Sequence, residues 1–210
     1  HQQSNESQRL VQLRQLHPFG ACCVASDLNA TALPGTLTCL IGHNGTGKST
    51  LLRTIARLQQ SIDGSVLIGD NDISTLKPIH LSRMLSIVLT SRPDVRNMTV
   101  EELVALGRAP YTGFWGRLSA DDRRIVRHSI ESVGITAMAE RRVCTLSDGE
   151  MQKVMIAKSL AQQTPVILLD EPTAFLDFPG KIDLMLLLQR LAHEERKTIL
   201  LSTHDLETAL

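Results

Sequence analysis

The chain has 210 residues, 42% of them hydrophobic, with 22 basic and 22 acidic side chains in balance. That length suffices for one well-buried domain or a two-lobed one, and the charge balance offers no bulk basicity to attract nucleic acid. No apolar run approaches the ~20 residues of a membrane span, and the polar opening HQQSNESQRL reads as neither signal peptide nor anchor.

Taken in order, the stretch to about Gln8 reads as a disordered tail. Short strands are expected around 9–16 and 21–28, with a turn at His17-Pro18-Phe19-Gly20. Pro34-Gly35 turns the chain into the apolar run Leu37-Thr38-Cys39-Leu40-Ile41. A helix is expected over 48–58, ending before the turn signal Asp63-Gly64, and strands over 65–69 and 85–89. Thr99-Val100-Glu101-Glu102 is a capping box that opens a helix over 100–106, closed by Gly107. Ser119-Ala120-Asp121-Asp122 is a second one, whose helix carries Ile125, Val126, Ile130 and Val133 on one face and stops at Gly134. Residues 92–160 thus read as a helical insertion, and strands return at Val166-Ile167-Leu168-Leu169 and Thr198-Ile199-Leu200-Leu201. An amphipathic helix over about 180–194 joins them and suits a crossover between parallel strands. Cys22, Cys23, Cys39 and Cys144 lack C-x-x-C spacing and read as reduced cytosolic thiols rather than metal ligands.

One stretch organises the rest: Gly42-His43-Asn44-Gly45-Thr46-Gly47-Lys48-Ser49-Thr50. Strand, glycine-rich turn and helix are the context in which G-x-x-x-x-G-K-[ST] means phosphate binding. The glycines let successive N–H groups face one anion, and the helix adds the positive end of its dipole. Lys48 would reach the β- and γ-phosphates, the Ser49 hydroxyl would ligate Mg²⁺, and Thr50 would sit by the α-phosphate. The chain is therefore expected to bind a nucleoside triphosphate.

The strand Val166-Ile167-Leu168-Leu169 ends in Asp170-Glu171. Alone, two such acids could simply cap a turn. Beside the phosphate loop, Asp170 can hold the Mg²⁺ shell opposite Ser49, at the carboxyl edge where such sheets bind ligands. Glu171 can then orient and deprotonate the attacking water. His204 follows the next strand and would point at the same γ-phosphate.

Leu146-Ser147-Asp148-Gly149-Glu150, followed by Met151-Gln152-Lys153, resembles the LSGGQ signature of ABC transporter ATPases. The phosphate loop, the Asp170-Glu171 strand, the loop Phe175-Leu176-Asp177 and His204 match that family in order. The resemblance implies an α/β P-loop NTPase: a RecA-like core (1–91 and 161–210) of parallel sheet plus antiparallel strands, with an ABC-type helical subdomain inserted at 92–160. It implies that two copies face each other head to tail around ATP and Mg²⁺. Ser147 and Gly149 would donate across the interface to the partner's γ-phosphate, Asp177 would align the two sites, and ATP would close the pair.

The segment from Val100 to Pro110, with Trp115-Gly116-Arg117-Leu118-Ser119, resembles importer ATPases for iron–siderophore complexes, haem and vitamin B12. Implied partners are a membrane permease pair, docking near residues 90–115, and on the far side a substrate-binding protein, with no nucleic acid. The protein would then sit at the cytoplasmic face of the membrane, held there by the permease. Three features depart from the pattern. Thr90 stands where relatives carry a Gln that touches Mg²⁺, so a bridging water is expected in place of direct ligation. Asp148 and Glu150 replace Gly and Gln, and should weaken phosphate binding slightly unless Arg or Lys offsets them. Relatives continue past the position of His204 with further strands and helices, so the C-terminal part of the fold is expected to be missing here. Phe19 and His17 are the candidates for stacking on adenine, and Phe19 reads equally well as packing under the hairpin. Rival readings are a soluble ABC ATPase acting on DNA or ribosomes, a small-molecule kinase or GTPase, and a nucleotide-gated module with little hydrolysis. The first lacks its coiled coil or tandem domain, and the second its N-K-x-D motif.

Overall fold

The computed structural model describes residues 10–18, 28–91, 95, 97–113 and 116–205. The expected tail, most of the strand expected over 21–28, Phe19-Gly20 and Trp115 lie outside them. Strand β1 (Val11–Pro18) buries Val11, Leu13 and Leu16, a spacing that a strictly alternating strand cannot place on one face. Pairing resolves this. Between Leu13 and Leu16, β1 holds one residue more than its antiparallel neighbour β2 (Leu28–Ala32), and the same slip recurs against its other neighbour. Such a bulge returns Leu16 to the core face. β2 lies on the sheet edge with Asn29, Ala30 and Thr31 exposed, so it carries no hydrophobic signal at those positions.

After Pro34-Gly35 comes β3 (Leu37–Ile41), then helix α1 (Lys48–Ile55). The helix is shorter than expected because Arg57 turns left-handed (φ 56°) and sends its guanidinium to the carbonyls of Ile73 and Leu76, 2.7 and 2.6 Å away. Asp63-Gly64 is not a turn. It lies inside β4 (Ser61–Ile68), the second neighbour of β1, where Gly64 takes φ 84°. The short β5 (Asn71–Asp72) completes an antiparallel sheet ordered β2-β1-β4-β5.

Helix α2 (Pro78–Leu81) leads into β6 (Leu85–Val88). Three helices follow: α3 (Val100–Ala105), α4 (Ala120–Ser132) and α5 (Asp148–Ala161). Both expected capping boxes are formed, Thr99 with Glu102 and Ser119 with Asp122. α3 tightens into a 3-10 turn at Leu106–Arg108, and Gly107 serves approach more than termination. A Cβ there would collide with the Lys158 carbonyl of α5. The neighbouring Arg108 is buried, with its guanidinium on Asp122 (2.8 Å), the Ala161 carbonyl (2.7 Å) and Gln163 (2.9 Å), and stacked on Tyr111.

β7 (Val166–Asp170), α6 (Phe178–Glu194) and β8 (Thr198–Thr203) close the core. The second sheet is wholly parallel, ordered β3-β8-β7-β6, and every residue of β7 and β8 is buried. Alternation splits β7 between two apolar clusters. Val166 and Leu168 face Leu51, Leu52 and Ile55 of α1, while Ile167 and Leu169 face α5 and α6. With both faces covered, the strands read as unbroken apolar runs. Their polar ends therefore gather at one edge.

Candidate active site

At that carboxyl edge, residues 42–50 leave β3 and enter α1. Gly45 and Gly47 hold φ of 82° and 88°, values closed to most side chains. Gly47 is also the N-cap of α1, which has no side-chain cap and no acidic residue in its first turn. The helix therefore presents its positive end uncompensated, a site for an anion. The Lys48 ammonium, largely shielded, donates to the carbonyls of Gly42 (2.8 Å) and His43 (3.0 Å). Thr46 fixes the loop through its hydroxyl to the His43 carbonyl, 2.9 Å. His43, Asn44 and Thr50 lie on the same loop and first helical turn.

Across the edge, the Ser49 hydroxyl donates to Asp170 Oδ1 at 2.7 Å, closing a gap of 121 residues in sequence. Two oxygens this close suit a hard cation: octahedral Mg²⁺ sets adjacent ligands about 3 Å apart. One carboxylate, one hydroxyl and substrate phosphates form the donor set that Mg²⁺ ordinarily takes in such sites. The Glu171 carboxylate lies between two groups, Oε1 at 3.6 Å from Lys48 Nζ and Oε2 at 3.3 Å from His204 Nδ1. The imidazole is half-exposed at 43% of its side chain, so this corner of the site opens to solvent.

Ser147, Gly149 and Asp177 line a different groove, of about 520 Å³, between the start of α5 and the loop before α6. Ser147 is exposed at the N-cap of α5, where its hydroxyl accepts from the Glu150 N–H (3.3 Å) and keeps its own proton to donate. A Cβ on Gly149 would only touch Leu176, at 3.5 Å. Asp177 caps α6 through the Gly180 N–H, 3.1 Å. The compensation demanded by Glu150 is present: Arg141 Nη1 sits 3.0 Å from its carboxylate. The Ser147 backbone N–H, with Arg141 beside it, lowers the Glu150 pKa below its ordinary value.

Thr90 Oγ1 donates its proton to the main-chain carbonyl of Asp170 at 2.9 Å, and its lone pairs remain free to accept from the bridging water that was expected. Of the adenine candidates, Phe19 and the His17 side chain lie outside the described residues. Three groups went unread in the sequence: Arg141, Ser202 and the pair Lys181–Asp205 (2.7 Å), which ties the start of α6 to the segment after β8. Ser202 could have been read as a hydroxyl at the end of an otherwise apolar strand. The partners of the others depend on loop geometry.

The family model for the ABC transporter matches residues 25–174. The chain is 43% identical over 192 residues to an uncharacterized ABC transporter ATP-binding protein, MJ0873, of Methanocaldococcus jannaschii, covering 91% of this chain and 66% of that one. It is 39% identical over 191 residues to the iron(3+)-hydroxamate import ATP-binding protein FhuC of Bacillus subtilis, covering 91% and 71%. Among solved structures it resembles a dimeric bacterial ABC transporter cassette, MJ0796, with TM-score 0.78 and 26% identity, covering 95% of this chain and 90% of that one.

Proposed function

This chain belongs to the ABC transporter family, as one of its ATP-binding cassettes, and from that premise we propose that it is the ATP-hydrolysing subunit of an importer for an iron–siderophore complex, haem or cobalamin. The observation that carries the chemistry is the Ser49–Asp170 contact, with Glu171 poised between Lys48 and His204. Residues 42–50 cradle the phosphates, with backbone N–H groups and Lys48 on the anionic oxygens. Ser49 and Asp170 would hold Mg²⁺, which when bound would neutralise charge on the phosphate oxygens. Glu171 takes the proton of the attacking water, and His204 holds the carboxylate on the side away from Lys48. General-base work of this kind contributes roughly 10²–10⁴ in rate.

In this reading the nucleotide lies between two copies. Ser147 and Gly149 of one face the loop of the other, and the dimeric cassette MJ0796 supports such a pairing. The cargo class rests on the similarity of residues 100–119 to such importers and on the FhuC relative. Residues 92–160 form the helical subdomain and 1–91 with 161–210 the nucleotide-binding core. No described helix is long and apolar enough to cross a membrane, and membrane attachment comes through the permease. The permease would dock near residues 90–115, in the groove between the two lobes.

The test is phosphate release from Mg-ATP. Wild type should turn over well above background, Lys48→Ala should fall to background, and Glu171→Gln should fall by roughly 10²-fold or more while still binding ATP. Undiminished turnover in Glu171→Gln would remove Glu171 as the base. Turnover at background in wild type would leave only a nucleotide-gated module.

A further inference from the structure

β7 runs between β6 and β8, and at its carboxyl end the regular ladder stops. The last β7–β8 register pair is Asp170 with Ser202, and the last β6–β7 pair is Val88 with Leu169. Glu171 then takes φ 47° immediately before Pro172. A bulky non-glycine residue rarely enters the left-handed region, and a following proline further narrows its choices. Such a conformation persists only where the surroundings hold it.

Two hydroxyls hold it. The peptide group joining Asp170 to Glu171 is bonded at both ends, from opposite neighbouring strands. Its carbonyl accepts from Thr90 Oγ1, just beyond β6, at 2.9 Å. Its N–H donates to Ser202 Oγ, on β8, at 2.9 Å. Ser202 has no exposed surface, and its own proton goes to Asp170 Oδ1, 2.9 Å away, the oxygen that also accepts from Ser49. One buried serine thus orients the carboxylate facing the metal and the backbone of the residue facing the water.

We propose that Thr90 and Ser202 are positioning residues that clamp the Asp170–Glu171 peptide from its two sides and so set the aim of the Glu171 carboxylate. This rests on the reading of Glu171 as the base. The peptide plane fixes the direction in which the Glu171 side chain leaves the backbone. Released at either end, the peptide can rotate toward ordinary dihedrals, and the carboxylate swings off the line between Lys48 and His204. Hydroxyls that orient a metal-site carboxylate in this way usually matter by 10–100-fold in activity or metal affinity. Thr90 acts here through the backbone, a role its short side chain can reach.

The experiment uses the full chain with five variants: Ser202→Ala, Thr90→Val, Thr90→Ser, Glu171→Gln, and Thr90→Val combined with Glu171→Gln. Ser202→Ala and Thr90→Val should each lower kcat roughly 10-fold or more, with KM for ATP within about threefold. Thr90→Ser, which keeps the hydroxyl, should recover most of the loss. In the Glu171→Gln background Thr90→Val should change residual turnover by less than about threefold, because partners acting through one group are not additive, whereas Ser202→Ala also loosens Asp170. In the nucleotide-free protein, Ser202→Ala should speed hydrogen exchange at the Glu171 amide severalfold, the cost of one lost hydrogen bond. Unchanged kcat in Ser202→Ala and Thr90→Val, or equal losses with and without Glu171, would overturn the clamp. If Glu171→Gln itself keeps wild-type turnover, the base assignment fails first. If Ser202→Ala does not fold, the Thr90→Val and Thr90→Ser pair, at a half-buried position, decides alone.

Discussion

At the scale of single residues, charge near the signature turn is the point of interest. Asp148 and Glu150 put carboxylates at the turn that, in the proposed pairing, faces a phosphate, and Arg141 sits beside the second of them. Arg141 also donates to the Thr145 carbonyl at 2.7 Å, which holds the guanidinium in place on the loop before α5. Part-exposed pairs of this kind contribute ~0.2–1 kcal/mol. Arg141→Ala should therefore raise the ATP concentration needed for pairing of two copies by up to about fivefold, and leave the affinity of one copy for ATP unchanged. A titration of pairing against ATP, beside a nucleotide-binding isotherm, checks both halves. The sequence made Lys48, Ser49 and Asp170 legible because spacing alone specifies a loop before a helix and an acid at a strand end. It left Ser202 dark, because the role of that hydroxyl depends on strand register: it lies opposite Asp170 only once β7 and β8 are paired.

At the scale of elements, the joint of α3, α4 and α5 depends on Arg108 and Asp122. The capping box of Ser119 and the Arg108 guanidinium hold the Asp122 carboxyl down at about 2. A carboxyl whose folded pKa is depressed adds stability that is complete above its unfolded pKa, about 4, and is lost as pH falls through about 2. Denaturant melts between pH 2 and 4 should thus show stability falling with acid, and Asp122→Asn should flatten that slope. Arg108→Ala strands a buried carboxylate and should cost about 3–5 kcal/mol, read as a shift in denaturant midpoint. Both capping boxes were readable as local patterns, but the buried Arg108 was not. Its partners at Asp122, Ala161 and Gln163 are 14 to 55 residues away, and a lone Arg after a glycine reads as surface. Strand edges misled in the same way. Asp63-Gly64 carries turn chemistry, yet pairing with β1 draws it into β4.

At the scale of the molecule, the fold class was legible because both faces of the parallel sheet are covered, which makes its strands unmistakably apolar. The antiparallel sheet was harder, since its edge strand is polar and β1 carries a bulge. In the proposed reading one chain does not complete the site. Ser147, Gly149 and Asp177 line a groove of their own, separate from the Ser49–Asp170 contact, and on that proposal a second copy brings them to a bound nucleotide. Ligand that bridges two copies shifts the population toward the pair, and blocking hydrolysis should trap it. The most direct measurement is the mass of the Glu171→Gln chain by light scattering, with and without saturating Mg-ATP. The account predicts 23.1 kDa without nucleotide and twice that with it, the doubling lost on Ser147→Ala. A mass that stays at the single-chain value under saturating Mg-ATP would contradict it.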